Sequence, residues 1–200
     1  ESWKEDWNSQ EFIQQPSELY TGRPFKQQYE LIRGKNDTLV YVISAGAGLI
    51  CPGIKIPSYD ATFIRDKGPR TDEWHYLPEG GIIGMNLSKG DSVVSFAPPN
   101  YHKALLQDPN LELISDILTV ASTSPLASKA TTVLNIHSRS KEVLKVSSTD
   151  LNTKFLEIFL NDGFEGFNSL YEKAKSLPPM VDRKPVSDEE LYSIVKKIKN

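Results

Sequence analysis

The sequence predicts one α/β domain in which a central, mostly buried sheet is flanked by helices. Three observations predict it. A length of 200 residues with 38% hydrophobic content suits a single core of ordinary size. Three short runs, Leu39 to Ile43, Ser92 to Ala97 and Thr131 to Ile136, have the β-branched, apolar character of strands covered on both faces. Between and after them lie segments with apolar residues at helical spacing, and such alternation points to a mainly central sheet.

Residues 1–16 are polar apart from Trp3, Trp7, Phe12 and Ile13, and form an amino-terminal segment ahead of a domain spanning 17–176. After Arg23-Pro24, the residues Phe25, Tyr29 and Ile32 fall near helical spacing, and Gly34 offers a stop. Asn36-Asp37 turns the chain into the first strand. A stretch punctuated by Gly and Pro follows to about Gly84, too irregular for one long element. Pro98-Pro99-Asn100 ends the second strand and opens a helix over Tyr101 to Gln107, and Leu111 to Val120 reads as a further helix. Ser148-Thr149-Asp150 can cap a helix carrying Leu151, Phe155, Ile158 and Phe159 on one side, with Gly163 at its end. Phe164, Phe167, Leu170 and Tyr171 begin another. Residues 177–186 form a linker. Ser187 and Glu190 then have capping-box spacing before Leu191, Ile194, Val195 and Ile198, so 187–200 is expected to be an amphipathic helix. Packing onto its own domain is the first expectation for that helix, and recruitment of a protein partner the second.

The formal charge of −3 names no partner by itself, although a basic face can hide inside a balanced total. A single cysteine, Cys51, excludes an internal disulfide framework and suits a reducing compartment. No apolar run approaches the roughly 20 residues of a membrane helix, and no basic-then-apolar leader is recognisable. A cytoplasmic domain with no membrane association is therefore expected.

The stretch Val42-Ile43-Ser44-Ala45-Gly46-Ala47-Gly48-Leu49-Ile50-Cys51-Pro52 looks at first like a phosphate loop. A dinucleotide fingerprint needs a third glycine and a helix directly after it, and Pro52-Gly53 continue a helix poorly. The Gly-Lys-Ser/Thr ending of a P-loop is absent as well. What remains is a strand end opening into a tight turn of small residues, where another chain or a flat ligand can approach closely. No cofactor is expected. No metal is expected either, because His75, His102 and His137 are far apart in sequence. Cys51 reads as a small apolar filler, and Asp72-Glu73 beside Trp74-His75 as a solvated loop. Arg139, Lys141 and Lys145, or Lys196, Lys197 and Lys199, are candidates for phosphate contacts, with ordinary solvated faces as the simpler alternative.

Several motifs resemble a known group. Leu19-Tyr20-Thr21-Gly22, then Ile43-Ser44 with Gly48-Leu49-Ile50 and Pro52, then Tyr59, resemble in order and separation the motifs of the peroxide-stress protein YaaA family. Val93-Val94 through Tyr101-His102-Lys103 resembles a further block of that family. The likeness covers roughly the first half of the chain. Ala45 and Ala47 stand where the family has Gly and Tyr, and Asp60 where it prefers Arg. Tyr59-Asp60-Ala61-Thr62 is closer to a related group of uncharacterised phage and prokaryotic domains. The resemblance implies a YaaA-like fold and work on nucleic acid or on a nucleobase or nucleoside, by a base-modifying enzyme or a DNA-binding stress protein. It supplies no reaction and leaves open whether the chain is an enzyme. DNA or a nucleoside is the implied partner.

If the chain folds as the resemblance implies, Ser44, Tyr59 and Asp60 meet Tyr101 and Lys103 at one cleft, with Tyr20, Thr21 and Gly48 beside them. Tyr59 or Tyr101 would stack on a base, Asp60 accept from base amino groups or act as general base, and Lys103 pair with phosphate or serve as nucleophile. The bland alternative has Ser44 bonding the backbone, Tyr59 packing and Asp60 capping a turn. The competing function is a non-catalytic interaction domain that recruits a partner through its last helix.

Overall fold

The computed structural model describes residues 5, 7, 13–35, 37–59, 61, 63 and 70–179. The expected carboxyl-terminal helix over 187–200, most of the 177–186 linker, and Asp60 lie outside these. In chain order, β1 (Ile13–Gln14) leads into one turn of helix, α1 (Pro16–Leu19), and then α2 (Arg23–Ile32). A hairpin of β2 (Val42–Ser44) and β3 (Gly48–Ile50) follows, with β4 (Ile56–Pro57) behind it. Two 3-10 turns, Trp74–Tyr76 and Ile82–Gly84, precede β5 (Val93–Ser95), α3 (Pro99–Leu106) and the short α4 (Glu112–Ser115). Then come β6 (Leu118–Ala121), β7 (Thr132–Leu134), α5 (Ser140–Leu144) and the long α6 (Leu151–Lys175). The molecule is a mixed α/β protein.

Two helix starts follow from proline, whereas Asp150, expected to cap α6, gives its carboxylate to Arg23 and Ser147 instead of to the helix backbone. Pro24 and Pro99 occupy the first helical turns of α2 and α3, where a missing N–H costs nothing and a fixed φ favours the helix. The two helical halves expected on either side of Gly163 run end to end as α6, with a kink at Gly163 (φ 56°, ψ −140°).

The strands depart from expectation in two ways. Pairing among the described residues falls into three small sheets, β1-β4, β2-β3 and the parallel β5-β6-β7, rather than one central sheet. The run from Leu39 to Ile43 forms strand only from Val42, and it pairs antiparallel with β3, Ser44 opposite Gly48. A reversal through three residues closes a hairpin directly. The second departure is Leu111 to Val120, expected as helix. Its first part makes only α4, and Leu118–Ala121 is the middle strand of the parallel sheet, buried at all four positions. A short continuous apolar run fits either element, and the slot between two strands decides in favour of the β-branched Thr119 and Val120.

The parallel sheet divides the interior. Val93, Leu118 and Val120 face a core with Trp74, Ile82, Leu105, Ile114 and Leu126. Val94, Phe96 and Leu134 face the other side, against Phe155, Phe167 and Leu170 of α6. That alternation along β5 is the period of two of a pleated strand. A third, smaller cluster under the hairpin joins Ala47, Ile50 and Ile56 with Trp7, Tyr20 and Tyr59. Trp7 packs against that cluster, and β1 pairs with β4 at Ile13–Pro57.

Candidate functional site

The Ser44 turn is held by the chain itself. Ser44 is buried at the end of β2, and its Oγ accepts the Ala47 N–H at 2.8 Å, closing the reversal. Its carbonyl accepts the indole N–H of the fully buried Trp74 at 2.8 Å. Trp74, expected in a solvated loop, is therefore a core residue whose polar end anchors the turn, as buried tryptophans commonly do.

Both glycines of the turn are needed by close approach. Gly48 has φ +103°, and a Cβ there would lie 2.2 Å from the Gly80 carbonyl oxygen, the same oxygen that accepts the Leu49 N–H at 2.8 Å. The open face of Gly48, expected to meet a ligand, meets the backbone of the 79–80 loop. A Cβ at Gly46 would lie 2.5 Å from the Tyr59 ring. The flat group seated on the small-residue turn is the phenol of Tyr59.

Around that ring the hydroxyls converge. Tyr59 Oη is hydrogen-bonded to Ser44 Oγ at 2.5 Å and to Tyr20 Oη. Trp7 lies against Tyr59 with ring centroids 5.9 Å apart, and Phe25 of α2 meets Tyr20 edge-on at 5.1 Å. Burial raises both phenols above their ordinary pKa, the larger rise being at Tyr59, where the neighbouring Tyr20 adds to it. Both therefore remain neutral at physiological pH, each with a proton to give and lone pairs to receive one. Tyr101 is half-buried on α3, edge-on to Phe63 with ring centroids 5.1 Å apart. Hydrogen bonds thus bring Tyr20, Ser44 and Tyr59 together.

The remaining expected residues do not join them in the same way. Thr21 is exposed beside Tyr20. Lys103 is exposed on α3, about 200° around the helix from Tyr101, so the burial that would make it a nucleophile is missing. Asp60 is outside the described residues. Arg139, a candidate phosphate contact, is engaged within the fold: it pairs with Glu142 at 2.8 Å and donates to the carbonyls of Leu177 at 3.0 Å and Pro178 at 2.6 Å. Cys51 is a half-buried free thiol. Among the described residues no three His, Cys, Asp or Glu side chains are grouped as a metal would require, and no helix is long and apolar enough to cross a membrane.

Two polar groups were missed by sequence reasoning. Asp108 is buried and its carboxylate accepts the backbone N–H groups of Ile82 and Asn110, each at 2.8 Å, holding the 3-10 turn at Ile82 to the end of α3. His102 is buried between two serines. Neither carries a spacing signal, because each is satisfied by groups that every chain has in abundance.

No protein-family model, curated protein or solved structure matches the chain.

Proposed function

We propose that the chain is a YaaA-like protein directed at nucleic acid or at a nucleobase or nucleoside, which it receives at the hydroxyl cluster of Tyr20, Ser44 and Tyr59. The observation that carries this is the convergence of three neutral, mutually hydrogen-bonded hydroxyls with aromatic rings at a strand end. A purine or pyrimidine presents donors and acceptors on one edge and a π-face on either side. Neutral hydroxyls serve both edge types, and aromatic faces serve the stack, at about 1–3 kcal/mol per base. The YaaA-like assignment is supported by the motif residues themselves, since Tyr20, Ser44 and Tyr59 come from separate motif blocks and touch one another.

Binding of free nucleosides and of a short single-stranded oligonucleotide, followed by calorimetry and fluorescence anisotropy, tests it. Oligonucleotide affinity should fall steeply between 50 and 200 mM salt, as phosphate contacts release counterions, while nucleoside affinity changes little. Tyr59→Phe keeps the ring and removes the shared hydroxyl, and should weaken either ligand about tenfold, the worth of one hydrogen bond of roughly 1–1.5 kcal/mol. Failure of nucleosides, DNA and RNA alike to bind at low salt would overturn the assignment.

A further inference from the structure

A second polar chain crosses the carboxyl-terminal ends of β5 and β6. Ser95 is the last residue of β5, and its Oγ lies 2.8 Å from Nε2 of His102, on α3. Nδ1 of the same ring lies 2.7 Å from Oγ of Ser124, in the turn after β6, and Ser124 Oγ also accepts the Leu126 N–H at 3.0 Å. His102 is 3% exposed and Ser124 is buried, whereas Ser95 is half-buried.

A structural histidine needs only that both ring nitrogens be satisfied. Three features here go beyond that need. The order hydroxyl, imidazole, orienting group is that of an activated nucleophile with its base. All three side chains sit at the carboxyl-terminal edge of a parallel sheet, where open α/β folds present groups to ligands. The least buried residue of the three is the one whose hydroxyl would react.

We propose that Ser95 is a nucleophile activated by His102 and oriented through Ser124, and that it hydrolyses activated esters. With the Nδ1 proton donated to Ser124 Oγ, Nε2 offers its lone pair to the Ser95 hydroxyl. Ser95 Oγ attacks the ester carbonyl and its proton passes to Nε2. The carbon–oxygen bond to the leaving alcohol breaks, and that alcohol takes the proton from Nε2. Water then attacks the acyl-serine, giving a proton to Nε2, and the carboxylic acid departs as that proton returns to Ser95. Burial lowers the imidazole pKa to about 4, so the ring is neutral at pH 7 but a weak base. A weak base suits a leaving group that needs little help, which favours aryl esters over amides.

A fluorophosphonate probe, followed by peptide mapping, and release of p-nitrophenol from its acetate test this directly. The native protein should bind one equivalent of probe at Ser95. Ser95→Ala should abolish both labelling and ester turnover, and His102→Gln should slow labelling about a hundredfold. Should His102→Gln fail to fold, the native protein with and without urea decides: Ser95 should label in the folded state and lose its reactivity on unfolding. No label on Ser95 in the native protein, or equal labelling before and after unfolding, would overturn the proposal. These results are independent of whether nucleosides bind at Tyr59.

Discussion

His102 carries a pH dependence of definite sign. Burial holds its pKa at about 4, below the ordinary 6.5. Between those two values the unfolded chain takes up a proton that the folded chain refuses, so stability is fully present above about pH 6.5 and is lost as pH falls toward 4. The loss should be on the order of 3 kcal/mol. Urea midpoints at several pH values across that window should show it, and His102→Gln should flatten the slope; an equal slope in the variant would place the effect elsewhere. At this scale the sequence revealed one half of the polar chemistry. The proximity of Ser44 and Tyr59 was legible because an ordered set of motifs separated them by a fixed gap. His102 was dismissed for want of a metal-binding partner, and its true partners, Ser95 and Ser124, are too common a residue type to stand out.

The hairpin is the element on which the candidate ligand site rests. Gly48 combines a left-handed φ with a backbone oxygen where a side chain would go. Gly48→Ala should therefore lower stability by more than about 3 kcal/mol, in the range reserved for backbone strain and overpacking. Denaturant unfolding checks this, and a loss under about 1 kcal/mol would mean that the 79–80 loop gives way. The sequence argued against a phosphate loop here but did not show that the turn reverses on itself, since small residues permit several geometries and Gly80 lies some thirty residues on. Helix starts at Pro24 and Pro99 were legible because proline acts locally. The strand β6 was not, because its identity depends on having β5 and β7 on either side.

For the molecule as a whole, the parallel sheet is shared by the two larger cores, so they should melt together. Phe167→Ala, on the α6 side, and Leu118→Ala, on the Trp74 side, should each cost about 3–5 kcal/mol and shift one common transition. With Trp3 and Trp7 replaced by Phe, tryptophan fluorescence reports Trp74, and far-ultraviolet dichroism reports α6 strongly; separated midpoints would show that the cores are independent units. The mixed α/β class was legible from alternating patterns, but the division into small sheets was not, because pairing is a long-range choice that local pattern leaves open.

The linked oxygens of Tyr20, Tyr59 and Ser44 have a further consequence. Arranged head to tail, their hydrogens satisfy the row in either of two orientations, and turning one turns the others. A guest offering a lone pair at the Tyr20 end selects one orientation, and a guest offering a hydrogen there selects the opposite. In the proposed role, the same seat would greet a keto edge or an amino edge without moving a heavy atom.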